Sequence, residues 1–193
     1  MNAGTLVPIQ NAMPSNQGII TLAFATGDCT AERWGSLSVS SVRTSCQNLH
    51  KAGKKYTIST GGALGKFTCN TAEGFASFFD RYYTTSMVGI DFDIELGQTQ
   101  AEINALVQRA REITALYPSL RISFTIATFG AAGRDNLPAG KLGIMTVTSI
   151  KNAFTIGGVL RIPTTWYINL MTMYFGGCLR WVWGACSLGL GGG

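Results

Sequence analysis

The chain has 193 residues, 46% hydrophobic and 13% charged, with a formal net charge of +5. That size suggests one domain with a sizeable buried core, and the composition excludes a disordered chain. No stretch approaches the ~20 apolar residues of a membrane span. The positive charge forms no stripe, so no nucleic-acid partner is expected; Lys51, Lys54 and Lys55 read as a solvated face at a strand entrance.

The start, Met1-Asn2-Ala3-Gly4-Thr5-Leu6-Val7-Pro8, lacks the basic and apolar regions of an export signal, which as written implies a cytoplasmic chain. Thr5 to Ile9 makes a poor strand. Gly18 to Thr26 is a continuous apolar, β-rich run, expected to be a strand buried on both faces. Leu37 to Ala52 reads as a helix closed by Gly53. Lys55 to Thr60 is the next strand, stopped by Gly61-Gly62. Asn70 and Glu73 fit the N-cap and N3 positions of a capping box, opening a helix through Tyr83 with Phe75, Phe78, Phe79 and Tyr82 on one stripe. Val88 to Leu96 is a strand. Thr99 and Glu102 form a second capping-box signature. The helix after it buries Ile103, Leu106, Val107, Ala110, Ile113 and Leu116, and Pro118 stops it. Arg121 to Thr128 is a strand, Asn136 to Pro138 a loop, Ser149 to Phe154 a weak helix, and Trp166 to Phe175 a last strong strand. The five cysteines show no CxxC spacing for zinc. Cys29 and Cys69 each follow a strand by a few residues, so either a disulfide on one rim or idle thiols fits them.

The β-α alternation implies a parallel sheet with helices outside it. A doubly wound sheet and an eight-stranded barrel both remain open. No GxGxxG or GxxxxGK[ST] follows a strand, which weakens nucleotide-binding versions. A barrel typically needs ~250 residues, and only about five or six of its eight strands are recognisable.

One strand carries chemistry. Asp91, Asp93 and Glu95 alternate, so all three carboxylates share one face while Phe92 and Ile94 point under a helix. Crowded like charges cannot all ionise, so at least one acid stays protonated near neutral pH. The last acid sits at the C-terminal rim, where a substrate can reach it, and a raised pKa there makes a general acid. The alternatives are a solvated edge strand and a three-carboxylate magnesium site. No further carboxylate or histidine cluster is evident to complete a metal shell.

The run Gly89-Ile90-Asp91-Phe92-Asp93-Ile94-Glu95 resembles the family 18 glycoside hydrolase signature Asp-Gly-x-Asp-x-Asp-x-Glu, with Val88 in place of the first acid. Ser59-Thr60-Gly61-Gly62 is similar to that family's Ser-x-Gly-Gly, and Met171-Thr172-Met173 to its sixth-strand Met-x-Met. The three matches fall in order, and the likeness is to bacterial-type chitinases. It implies a (β/α)8 TIM barrel, here incomplete. It also implies substrate-assisted, retaining hydrolysis of the β-1,4 bonds of chitin or N-acetylglucosamine oligomers. In that scheme Glu95 protonates the glycosidic oxygen, Asp93 holds the acetamido group, and Asp91 tunes Asp93 through a shared proton. Met171, Met173 and Tyr174 then contact substrate. No metal and no organic cofactor are implied, and the family suggests secretion. Trp34, after the second strand signal, is placed with the sugar-contacting residues, although packing within its loop is the commoner fate of such an aromatic.

Two departures qualify the likeness. The family's sixth strand continues into Asp-Tyr-Gly, whereas this chain reads Tyr174-Phe175-Gly176. Residues 177–193 hold six glycines, two tryptophans and no acid, matching no seventh strand and helix. Residues 1–176 are therefore expected to form a partial barrel, and 177–193 an aberrant tail left by truncation or a frame error. A catalytically impaired carbohydrate-binding or vestigial fragment is the alternative function, and a metal-dependent barrel enzyme a third.

Overall fold

A computed structural model describes residues 18–127, 138–172, 181–182 and 185–186. In chain order the elements are β1 (Ile19–Ala25), β2 (Gly27–Asp28), α1 (Val39–Lys51), β3 (Lys55–Gly61), β4 (Phe67–Thr68), α2 (Ala72–Tyr82), β5 (Met87–Ile94), α3 (Gln100–Leu116), β6 (Arg121–Ala127), α4 (Pro138–Phe154), β7 (Thr155–Ile156), β8 (Val159–Leu160), β9 (Trp166–Met171), β10 (Trp181–Val182) and β11 (Ala185–Cys186). The main sheet has five parallel strands in the order β1-β3-β5-β6-β9. Each long strand lies beside the previous one. A doubly wound sheet would reverse that order at a switch point. Unreversed crossovers of one hand place every helix on the same face, as in a barrel. Among the described residues β1 and β9 do not pair, so the sheet is an open arc and not a closed barrel.

The helix side holds the core. Ile58, Ile90 and Ile122 form one rung of this face, and Phe92 and Phe124 part of the next. An aromatic row crosses the layer: Phe75 to Phe92 at 6.1 Å, Phe92 to Phe124 at 5.0 Å, Phe124 to Trp166 at 5.7 Å and Trp166 to Phe154 at 4.7 Å between ring centroids. Each fully buried Phe contributes ~1.5–3 kcal/mol. The row ties α2 and α4 to β5, β6 and β9.

Several expectations need correction. β1 is not buried on both faces: Ile19 and Phe24 are 48% and 41% exposed, because β1 is an edge strand. The cap of α2 is Thr71, whose hydroxyl accepts the Gly74 N–H, and not Asn70. Leu116 ends α3 exposed. Pro138 is not loop but the first residue of α4, a position where its missing N–H is harmless. α4 reaches back eleven residues before Ser149. Its glycines and β-branched residues weaken the local helix signal. One of them, Gly143, has a packing reason: a Cβ there would lie 3.1 Å from the carbonyl oxygen of Ala127. The expected strand at Thr5 to Ile9, residues 173–175 of the last strand, and most of the glycine-rich tail lie outside the described residues. Within that tail, β10 and β11 pair antiparallel.

The segment between β1 and α1 is fastened on two sides. Cys29 and Cys69 form a disulfide, Cα to Cα 5.1 Å, beside the β2–β4 pair. Glu32, 7% exposed, receives Arg81 Nε and Nη2 at 2.9 and 2.7 Å and the Tyr82 hydroxyl at 2.6 Å. Replacing Cys29 and Cys69 together by Ser should lower stability. A 40-residue separation corresponds to about 4 kcal/mol of unfolded-chain entropy at most. Thermal unfolding of the variant, compared with the oxidised parent, measures the loss.

Candidate active site

The face of the sheet opposite the helices is polar, and strand register assembles it. Ser59, Asp91 and Ser123 occupy one rung; Gly61, Asp93, Thr125 and Asn169 occupy the next. Asp91 is the hub. Its Oδ2 accepts Ser59 Oγ at 2.8 Å. Its Oδ1 accepts Ser123 Oγ at 2.6 Å, Thr125 Oγ1 at 2.9 Å and Asn169 Nδ2 at 3.3 Å. Four donors from β3, β6 and β9 thus hold a carboxylate that is only 8% exposed.

Asp93, one rung higher, is 6% exposed. Burial pushes its pKa up to about 7, with further rises from the charges of Glu95 and Asp91 and from a hydrogen bond with Glu95. Its Oδ1 is buried without a hydrogen-bond partner among the described residues. Glu95 follows at the rim and is partly exposed. A raised pKa thus falls on the middle acid, where burial and two neighbouring charges converge. The charge of Asp91 adds to the rise at Asp93, while the oxygens of Asp91 accept from donors on β3, β6 and β9.

Gly61 makes this packing possible. Its φ is +89°, and a Cβ there would lie inside the carbonyl oxygen of Asp93. The same oxygen accepts the Gly62 N–H at 3.1 Å. The end of β3 thereby closes on the backbone of β5 just where the acids emerge.

The other expected site residues divide. Trp34 is not in this face. It is 5% exposed, its indole N–H donates to the Tyr82 hydroxyl at 2.8 Å, and the two rings meet edge to face at 5.3 Å. A ring packed in this way has no face free for a sugar, so its substrate-contacting assignment is withdrawn. Met171 ends β9 opposite Ala127 and is 9% exposed. Met173 and Tyr174 lie outside the described residues. Ser123, Thr125 and Asn169 were missed, although the alternation in Arg121 to Thr128 and in Trp166 to Met171 puts each polar residue between two apolar ones. Phe24 was missed too. Its ring packs over Gly62 at the end of β1, and it is exposed. Among the described residues no three His, Cys, Asp or Glu side chains are grouped to hold a metal ion. No described helix is long and apolar enough to cross a membrane.

No protein-family model matches the chain, and no curated protein matches it. Solved structures do. A family GH18 chitinase from Chromobacterium violaceum shares 18% identity over 86% of this chain and 46% of its own, with a TM-score of 0.51. A further match is active domain 2 of a thermostable chitinase from Pyrococcus furiosus, solved as catalytic-site mutants complexed with chito-oligosaccharides. It shares 22% identity over 68% of this chain and 44% of its own, with a TM-score of 0.48. The chain spans about half the length of these structures. At such identity the likeness is one of fold: a parallel α/β sheet of the kind found in GH18 chitinases.

The raised pKa of Asp93 has a consequence for stability. An acid titrates near 3.9 in the unfolded chain. Asp93, at about 7 when folded, holds its proton longer in the native state. Its contribution is fully present below about pH 4 and is lost as pH rises through about 7. Urea unfolding at a series of pH values should show this decline, and Asp93→Asn should flatten it.

Proposed function

We propose that this chain is part of a chitinase-like glycoside hydrolase of the family 18 kind, bacterial in type, acting on β-1,4-linked N-acetylglucosamine. The observation that carries the reading is the acid column: Asp91 sealed by four donors, Asp93 buried with a raised pKa and an oxygen left over, and Glu95 partly exposed above them.

In this reading the leftover Oδ1 of Asp93 accepts the N–H of the substrate acetamido group. The acetamido oxygen attacks the anomeric carbon. As that bond forms, the glycosidic bond breaks, and its oxygen takes the carboxyl proton of Glu95. Asp93, having passed the proton it holds at rest to Glu95, is anionic at this step and offsets the positive charge on the cyclised acetamido nitrogen. Water then opens the ring, giving its proton back to Glu95, and configuration is retained. Burial first, then the charges of Glu95 and Asp91, make Asp93 harder to ionise. Phe24, exposed at the rim, supplies the aromatic platform that Trp34 does not. No metal or organic cofactor enters these steps. The Cys29–Cys69 disulfide favours an oxidising destination for the protein.

A second reading, a carbohydrate-binding chain that hydrolyses poorly, draws on the open arc. Ile168 and Leu170 of β9 are 39% and 55% exposed, and no opposite barrel wall stands among the described residues.

Turnover of a chromogenic chitobiose substrate separates the two. Glu95→Gln should reduce kcat by ~10²–10⁴-fold, the usual weight of a general acid. Equal rates for the parent and the variant would sink the enzymatic reading, and binding of chito-oligosaccharides without turnover would favour the second. Chelator should leave the rate unchanged. Phe24→Ala should raise KM by up to about tenfold with a smaller effect on kcat, as expected for a stacking contact worth ~1 kcal/mol.

A further inference from the structure

A cavity of about 500 Å³ lies between the turn after β5 and α4, and none of the three acids lines it. The turn after β5 and the start of α3 (Gly97, Gln98, Thr99, Gln100) form one wall, and Lys141, Leu142 and Met145 of α4 the other. Its volume suits a small ligand.

One polar group in this wall has no role in the fold. Gln98 is 4% exposed. Its Oε1 accepts the Leu96 N–H at 3.2 Å, which fixes the amide and leaves Nε2 as the free end. That Nε2 is buried with no hydrogen-bond partner among the described residues. A buried donor without an acceptor is a site for one. The neighbouring amide is already committed: Gln100 Nε2 donates to Asn104 Oδ1 at 3.0 Å and to Ser149 Oγ at 2.7 Å.

The ligand charge follows from the helix start. The Thr99 hydroxyl accepts the Glu102 N–H at 3.2 Å, and the Glu102 carboxylate accepts the Thr99 N–H at 2.7 Å. The capping box thus takes two N–H groups that an anion would use, and Glu102 is itself paired with Lys66 Nζ at 2.7 Å. Leu142 and Met145, packed on the core, contribute apolar lining. What fits is a neutral carbonyl acceptor bearing a small apolar group, with polar atoms toward exposed Lys141.

We infer that this cavity is an additional binding site for an N-acetylated amino sugar: the acetamido carbonyl accepts from Gln98 Nε2, and its methyl rests on Leu142 and Met145. The choice of sugar rests on the proposed chitinase-like function; the acetamido chemistry rests on the cavity alone. A polymer chain anchored here would be held next to the rim that carries Glu95.

Titration of the full chain with N-acetylglucosamine, and separately with glucosamine, tests this by NMR of the Gln98 side-chain amide and the Met145 methyl. Saturable shifts of both resonances with the acetylated sugar alone are expected. Gln98→Met should weaken that binding roughly tenfold, as for one lost hydrogen bond. If that variant does not fold, Met145→Ala should weaken binding instead. Glu95→Gln should leave the two shifts unchanged, so a failed activity test and a failed binding test are told apart. Equal shifts with glucosamine, or no shift with either sugar, would overturn the inference.

Discussion

The polar face depends on one buried carboxylate. Taking Asp91 out of water carries a penalty of several kcal/mol. Four donors at 2.6–3.3 Å offset it, each worth ~1.5–3 kcal/mol when the acceptor is charged. Those donors come from β3, β6 and β9, so the carboxylate joins strands across most of the sheet. A register slip of one residue in any of them would turn its donor to the helix side and leave the charge bare. The same contacts that stabilise Asp91 therefore specify the alignment that stacks Asp93 and Glu95 above it.

The two faces of β5 solve opposite problems with alternating residues. Ile90, Phe92 and Ile94 are at most 1% exposed and fasten the strand to the helix layer. Asp91 and Asp93 point away from that layer and remain polar in a nearly dry place. Asp91 has its carboxylate hydrogen-bonded by four donors; Asp93, with fewer partners, responds by holding a proton. Gly61 sharpens the contrast, because its missing side chain lets β3 close over the Asp93 backbone. Burial, and not proximity to Glu95 alone, is the largest cause of the shifted pKa.

The rim is built more rigidly than its loops imply. The disulfide, together with the Glu32, Arg81 and Tyr82 cluster, fastens the segment after β1 to α2 and to the loop before it. Trp34 belongs to that fastening. Trp34, weighed in the sequence as a sugar contact, is here a structural wedge, and Phe24 of the edge strand is exposed against Gly62 at the end of β3. Edge position explains both the missed burial of β1 and the availability of Phe24.

Much was legible in the residues themselves. Alternation in Gly89 to Glu95 separates an acidic face from an apolar one, because a strand has a period of two. Thr99 and Glu102 cap α3 as their spacing requires, and the aromatic stripe of α2 packs as a helical period requires. These rules act within a few residues, so no partner is needed to read them. The tertiary structure alone decided the strand order, the edge position of β1, the burial of Trp34, the length of α4 and the raised pKa of Asp93. Each of these turns on groups far apart in the chain. Asp91 and Asn169, 78 positions apart, meet only once the whole sheet has formed, and a pKa set by burial has no value until that burial exists.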